Sequence, residues 1–384
     1  MAETRLRLAK PELTFGKKVI RINWALVLLI VLTSGIGLAV LYSVSDGVMD
    51  VWVWDQGIRI SIGFVLMFAI ALLDIRLFLR LAYLGYFAAL ALLIAVELVG
   101  SVGMGAQRWL ELGNFRIQPS ELMKVALVLA LARYFHERSM EEVHKLRWLL
   151  IPVAMIAAPA LLVIRQPDLG TALLLLFGGG VMFVMAGVRL RVFAVVAVVI
   201  VGAIPFLWRS LHGYQRERIL TFLDPERDPL GAGYHIIQSK IALGAGGVFG
   251  RGFREGTQSQ LSFLPESQTD FIFTTLSEEF GLVGGLGLLA LYTLMLALSV
   301  IIALRSRNHF GRLLALGVGT TFFFYVFINI GMVTGLLPVV GVPLPLVSFG
   351  GTAMITLLVG FGLILSVDIH REVQIPRGSG SRFI

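Results

Sequence analysis

Residues 264–279 read Leu-Pro-Glu-Ser-Gln-Thr-Asp-Phe-Ile-Phe-Thr-Thr-Leu-Ser-Glu-Glu, and an apolar run continues from there to about residue 304. The stretch puts Asp270 at the mouth of an apolar helix and two more carboxylates, Glu278 and Glu279, inside it. A carboxylate at bilayer depth costs on the order of 3 kcal/mol on insertion scales, so three in one segment need a task or a partner. Asp270 is therefore the first candidate for chemistry, and the run behind it decides the fold class.

Apolar stretches of roughly 20 residues, the length that crosses a bilayer, recur on either side. They lie near 23–44, 56–74, 81–100, 148–165, 169–188, 192–211, 271–304, 311–334 and 351–368. A tenth, 119–134, is shorter and carries Glu121 and Lys124; it counts as a span because both flanks then obey the charge rule. The 384 residues are 57% hydrophobic and 15% charged, against about 25% charged in soluble domains. The predicted fold is an all-α integral membrane protein with about ten transmembrane helices and one large extracytoplasmic loop. Residues 1–22 form an N-terminal cytoplasmic segment, 23–368 the polytopic membrane domain including the 212–270 loop, and 369–384 a cytoplasmic tail. The first apolar run is long enough to remain as a span rather than a cleaved signal.

Charge sets the orientation. Arg5, Arg7, Lys10, Lys17, Lys18 and Arg21 precede the first span, which predicts a cytoplasmic N-terminus. Alternate loops agree: Arg76 and Arg80; Arg133, Arg138, Lys145 and Arg147; Arg189 and Arg191; and Arg305, Arg307 and Arg312 all fall on that side. The net charge of +8 is thus topology signalling, and no nucleic-acid partner is expected. The chain has no cysteine, which excludes disulfides, thiolate catalysis and Cys-ligated metals. The six histidines are scattered, and no HExxH or GxxxxGK[ST] pattern occurs, so a bound zinc is not expected.

The opposite side carries the polar clusters. Gly105-Ala-Gln-Arg108-Trp109 leads into Gln118-Pro-Ser-Glu121-Leu-Met-Lys124. Pro119 suits a first helical turn, and Glu121 and Lys124 are then i and i+3 on one face, close enough to pair. Such a pair reads either as a functional polar pocket or as two charges that only neutralise each other. Arg165-Gln-Pro-Asp168-Leu-Gly-Thr171 sits between two spans, where the charges read equally as interface anchors. From Asn329 to Gly351 three prolines and several glycines break the helix, and irregular backbone at that depth survives only inside protein or along a cavity. The long loop carries Arg216, Arg218, Arg227, Lys240, Arg251 and Arg254 beside Gly244-Ala-Gly-Gly247 and Gly250. Cations plus exposed backbone amides suit a phosphate-bearing lipid headgroup; glycine-rich mobility is the alternative.

Taken in order, Gly105-Ala-Gln-Arg-Trp, Gln118-Pro-Ser-Glu, Gln166-Pro-Asp-Leu-Gly-Thr-Ala, Gly233-Tyr-His-Ile-Ile-Gln-Ser-Lys-Ile-Ala, Gly256-Thr-Gln-Ser-Gln, Leu264-Pro-Glu, Thr269-Asp-Phe-Ile-Phe and Gly341-Val-Pro-Leu-Pro-Leu-Val-Ser-Phe-Gly-Gly resemble the signatures of the SEDS family (shape, elongation, division and sporulation). The likeness covers nearly the whole chain and is nearer the cell-elongation member than the division member. It implies a ten-span glycosyltransferase of the bacterial inner membrane that polymerises lipid II into peptidoglycan. The implied partners are a class B penicillin-binding protein supplying transpeptidation and other membrane proteins of the elongation complex. It places the essential aspartate on Asp270 and the Glu and Lys pair on Glu121 and Lys124. Arg108, Trp109, Gln118, Asp168, Arg216, Arg218, Lys240, Glu266 and Ser348 complete the expected substrate pocket. Two departures are visible: Gln268 where many members have His, and Phe349 where many have Tyr. Gln268 implies that no neighbouring histidine shares proton handling with Asp270.

Glycan polymerisation attacks an anomeric carbon carrying a lipid pyrophosphate. It needs a base for the incoming 4-hydroxyl and positive charge for the departing phosphates. Asp270 fits the base. Arg108, Lys124, Arg216 and Arg218, or a divalent cation (Mg2+ or Mn2+), fit the second role. Two readings rival it: a lipid II flippase, which also wants a polar intramembrane cavity and a headgroup-binding loop, and a non-catalytic scaffold for wall-synthesis enzymes.

Overall fold

The structure is a computed structural model that describes residues 14–49, 51–103, 106–112, 115–210, 213–224, 232–260, 263 and 266–376. In chain order the elements are α1 (Phe15–Ile20), α2 (Trp24–Val44), α3 (Val51–Leu72), α4 (Ile75–Val99), β1 (Ser101–Gly103), β2 (Ala106–Leu112), β3 (Phe115–Ile117), α5 (Pro119–His136), α6 (Met140–Val143), α7 (Leu146–Arg165) and α8 (Leu169–Met185). There follow α9 (Leu190–Ser210), α10 (Gly213–Leu223), α11 (Ala232–Ala245), α12 (Thr257–Gln260), α13 (Ile272–Arg305), α14 (His309–Val333) and α15 (Gly351–Ile369). Among these, α2, α3, α4, α7, α13, α14 and α15 have the length and hydropathy to cross a membrane, and α5, α8 and α9 bring the set to the ten predicted.

Polar caps fix where the spans begin. Asn23 accepts from Leu26 N, Asp74 from Arg76 N, Asp168 from Thr171 N and Asn308 from Gly311 N, each satisfying an orphan donor of a helix start. Between the spans the faces turned outward are apolar, as on Val195, Val198, Val199 and Phe206 of α9. The centre is built on α5, α14 and α15, with α3 packed on α15, α4 on α5 and α13 on α14.

Proline inside a helix orphans the carbonyl four residues earlier. In α7, Pro152 and Pro159 would orphan the carbonyls of Trp148 and Met155. Tyr134 Oη of α5 donates to Trp148 O at 2.6 Å, and Tyr86 Oη of α4 donates to Met155 O at 3.0 Å. Two tyrosines from neighbouring helices thus replace the two missing amides, which is how prolines persist where water cannot help.

Both ends of the bundle can be traced. Lys18 Nζ donates to Leu72 O, Arg21 pairs with Glu372, and Arg307 N donates to Arg371 O. The N-terminal segment, the α3–α4 and α13–α14 junctions and the residues after α15 therefore meet on one side, as an even number of crossings requires. On the other side, residues 101–117 form a three-stranded antiparallel sheet in the order β1-β2-β3, where the sequence suggested only a loop. Leu110 faces Ile117 and Glu111 faces Arg116, whose side chains pair at 3.1 Å. The described residues of the long loop carry three helices, α10, α11 and α12.

The 34-residue α13 is two helices joined at Gly281, whose φ of 67° is open to glycine. The break removes the bonds that Leu282 N and Val283 N would give to the carbonyls of Glu278 and Glu279. The turn after α11 supplies all four replacements. Leu282 N donates to Gly247 O and Val283 N to Val248 O, while Arg251 N donates to Glu278 O and Gly252 N to Glu279 O, at 2.9–3.1 Å. A Cβ on Gly246 would overlap Ser277 O, and one on Gly250 would overlap Glu279 O. These glycines permit close approach of two backbones, and the amides of Arg251 and Gly252 are occupied by helix carbonyls. That corrects the expectation that this glycine-rich stretch offers amides to a phosphate.

Candidate functional site

Asp270 lies in the turn that feeds α13 and is half-buried. It faces a cleft of about 320 Å³ that is also lined by Thr221, His235, Ile236, Glu266, Phe271 and Val339. The elements meeting there are α10, α11, the turn before α13 and the irregular segment after α14. Three buried side chains fix the backbone around it. Asn329 Nδ2 donates to Asp270 O at 2.9 Å and to Val342 O at 2.7 Å. Ser348 Oγ donates to Thr269 O and accepts from Leu344 N. Gln56 of α3 donates to Ser348 O and accepts from Gly350 N. The proline-rich break at 334–350 is thus a rigid cradle for the aspartate, and Ser348 acts on its backbone.

Glu266 shares the cleft, and its carboxylate accepts from Thr269 Oγ1 at 2.9 Å. His235 is the residue that sequence reasoning passed over. Its ring stacks on Phe271 with centroids 6.1 Å apart. Burial lowers its pKa from the usual histidine value, against an opposing pull from Glu266. A histidine therefore lines the same cleft as Asp270, 35 residues away in sequence. The two family departures also touch: Phe349 N donates to Gln268 O, and the Phe349 ring lies under the Arg59 guanidinium at 4.6 Å.

Glu121 and Lys124 pair as predicted, with Nζ and Oε1 2.6 Å apart, and both are almost fully buried. Tyr325 of α14 completes a triad: its hydroxyl donates to Glu121 Oε2 at 2.6 Å and also contacts Lys124 Nζ. The triad borders a small cavity among α5, α14 and α15, lined by Val128, Phe322, Thr356 and Phe361 among others and separate from the Asp270 cleft.

Arg108, Gln118 and Asp168 meet in a third place. Asp168 caps α8 through Thr171, accepts from Gln118 Nε2 at 3.3 Å and lies 3.9 Å from Arg108 Nε. Arg108 also donates to the carbonyls of Gln166 and Pro167, locking β2 onto the α7–α8 junction. Trp109, half-buried beside it, pairs with Ser101 across the sheet. Arg216 caps α9 by donating to the carbonyls of Trp208 and Arg209. Lys240 is exposed on α11 and packs its chain on Gly335, while the side chain of Arg218 lies outside the described residues. None of the described cations expected to meet the leaving group lines the Asp270 cleft.

The carboxylates within α13 have partners. Glu278 accepts from Gln258 N at 2.9 Å, and Glu279 accepts from Ser43 Oγ of α2. Arg254 donates to Asp46 O at 2.6 Å, fastening the same loop to the end of α2. Among the described residues no group of three His, Asp or Glu side chains comes together as a metal site.

The chain resembles characterised proteins over most of its length. It is 49% identical over 316 residues to the peptidoglycan glycosyltransferase MrdB of Escherichia coli (strain K12), covering 82% of this chain and 85% of that protein. It is 39% identical over 281 residues to the stage V sporulation protein E of Bacillus subtilis (strain 168), covering 73% and 76%. Among solved structures, a chain of a peptidoglycan synthase complex that coordinates polymerization and crosslinking superposes with a TM-score of 0.79 at 36% identity, over 91% of this chain and 98% of that one. The rod shape determining protein RodA of Thermus thermophilus gives 0.68 at 30% identity, over 91% and 97%. The cell cycle protein model for FtsW, RodA and SpoVE matches residues 19–373. With that match spanning the whole membrane domain, the chain belongs to the FtsW, RodA and SpoVE family.

Proposed function

We propose that this multi-pass membrane protein polymerises lipid II into glycan strands during cell elongation, with Asp270 as the general base. The chain is a peptidoglycan glycosyltransferase, as its family membership and its identity to MrdB show. The observation that carries the assignment of the base is the Asp270 cleft: a half-buried carboxylate, held through its backbone by Asn329 and Ser348, facing a cavity large enough for a sugar ring. In the reaction the acceptor 4-hydroxyl gives its proton to Asp270 as its oxygen bonds to the donor's anomeric carbon. The bond from that carbon to the pyrophosphate breaks, and the electron pair leaves with the phosphate oxygen.

The partner is a class B penicillin-binding protein supplying transpeptidation, a reading supported by the likeness to a chain that works within a synthase complex. Placement in the bacterial inner membrane with both termini cytoplasmic is supported by the basic residues gathered on the side where the N-terminal segment and the residues after α15 meet. The test is purified protein, with and without a class B partner, given lipid II and analysed for glycan strands by gel. Polymer that depends on Asp270 supports the reading. Movement of lipid II between leaflets without polymer would replace it with the flippase.

A further inference from the structure

The Asp270 cleft poses an electrostatic problem. The leaving group is a pyrophosphate, and among the described residues the charged side chains lining the cleft are Glu266 and Asp270. Arg108, Lys124 and Arg216 are engaged elsewhere, and the side chain of Arg218 lies outside the described residues. The other hydrogen-bonding side chains among the described lining residues are Thr221, whose hydroxyl is buried, and His235.

The ring of His235 is oriented in a way that settles what it can offer. One face stacks on Phe271, the residue next to Asp270. Nδ1 is buried and makes no hydrogen bond, so the ring nitrogen left accessible is Nε2. A neutral imidazole carries one proton, and a proton on Nδ1 would have no acceptor, so it resides on Nε2. The cleft therefore contains an N–H donor held in place by stacking, with no protein acceptor assigned to it. A phosphate brought into this cleft needs a hydrogen-bond donor, and among the described lining residues the His235 Nε2–H can supply one.

We propose that His235 is a second catalytic residue, whose Nε2–H donates to a phosphate oxygen of the lipid-linked donor and strengthens that bond as charge develops on the leaving pyrophosphate. The inference rests on the Asp270 cleft being the site of glycosyl transfer. Proton balance is unchanged: the acceptor proton goes to Asp270, and His235 shares its own proton with the phosphate without releasing it. A donor that meets charge forming in the transition state is worth about 100-fold to 1,000-fold in rate.

The test uses the full-length protein with its class B partner and lipid II. His235→Phe keeps the stack on Phe271 and removes the donor; His235→Gln retains an N–H. We expect His235→Phe to lower kcat about 100-fold and to bind undecaprenyl pyrophosphate at least about tenfold more weakly, with thermal melting unchanged, and His235→Gln to stay within about tenfold of the parent. If His235→Phe does not fold, His235→Leu replaces it in the same contrast. Parent-like turnover and binding in the Phe variant would overturn the proposal, as would equal losses in the Gln and Phe variants at intact stability. Binding of undecaprenyl pyrophosphate to Asp270→Asn separates the two readings. It needs no base, so an active Asp270→Asn would refute the base while leaving the His235 contrast to be read by itself.

Discussion

Ser348 Oγ lies 2.5 Å from the carbonyl oxygen of Thr269, so the broken segment after α14 holds the backbone one residue before Asp270. Because the same hydroxyl accepts from Leu344 N, its removal leaves two buried main-chain groups unpaired. Ser348→Ala should cost about 1–3 kcal/mol and, by letting Asp270 drift, lower polymerisation by up to about 100-fold. Ser348→Thr retains the hydroxyl and should recover most of the rate. Initial rates on lipid II beside thermal melts check this; equal rates for Ala and Thr would remove Ser348 from the positioning of Asp270.

Asp270→Asn should eliminate glycan polymerisation without loss of lipid II binding or partner assembly. Asparagine keeps the shape but cannot take the hydroxyl proton, and loss of a general base costs about 100-fold to 10,000-fold. Retention of more than about a tenth of the activity in a gel assay would show that another group is the base. Glu278 and Glu279 are poor substitutes, being held by Gln258 and Ser43.

Lys124→Met should be worse than the double change Glu121→Leu with Lys124→Met. The single leaves Glu121 buried beside Tyr325 without its cation, a loss of about 3–5 kcal/mol, whereas an apolar pair leaves no uncompensated charge. Chemical denaturation orders the variants. Near-normal turnover in the double variant would make the triad purely structural.

Gly250→Ala should disrupt the join between the loop and α13, because its methyl group would meet the Glu279 carbonyl and the position has a φ of 82°. A loss of about 1–3 kcal/mol is expected. Gly244→Ala, which meets nothing within 4 Å, is the control. Comparable melting temperatures for the two would show that the backbone exchange contributes little.

Glu255→Cys and Glu141→Cys, both exposed and on loops of opposite parity, should label oppositely with an impermeant thiol reagent in intact cells. The chain's lack of cysteine makes the background clean. Equal labelling would refute the orientation.

The spans were legible because each is a predominantly apolar run, and α5 was recovered despite Glu121 and Lys124 because the charge of its flanks demanded a crossing. The pairing of those two residues was legible for the same local reason, helical spacing. Tyr325 was not, since 201 residues separate it from Lys124 and an apolar helix gives no periodic hint of one hydroxyl turned inward. His235 and Asn329 were missed likewise: each reaches Asp270 or its neighbour only through the fold. The small sheet escaped because its strands are three to seven residues long and Trp109-Leu110 breaks the polar–apolar alternation that would have marked the longest of them. The loop glycines were seen but assigned to ligand binding, because sequence cannot distinguish an amide awaiting an anion from one already bonded to a helix carbonyl.

The interruption at Gly281 bears on how the protein enters its membrane. At 1.5 Å per residue, residues 282–305 alone exceed the roughly 30 Å hydrocarbon core. The insertion machinery can therefore accept that apolar piece as a complete span and leave Glu278 and Glu279 at the outer boundary, without their partial burial in lipid during biogenesis. On the proposed orientation, the turn that closes the interruption is synthesised earlier and lies outside when this piece arrives. The section bearing Asp270 is thus assembled by docking after insertion, and a defect in that turn would yield a protein correctly threaded through the bilayer but lacking an ordered site.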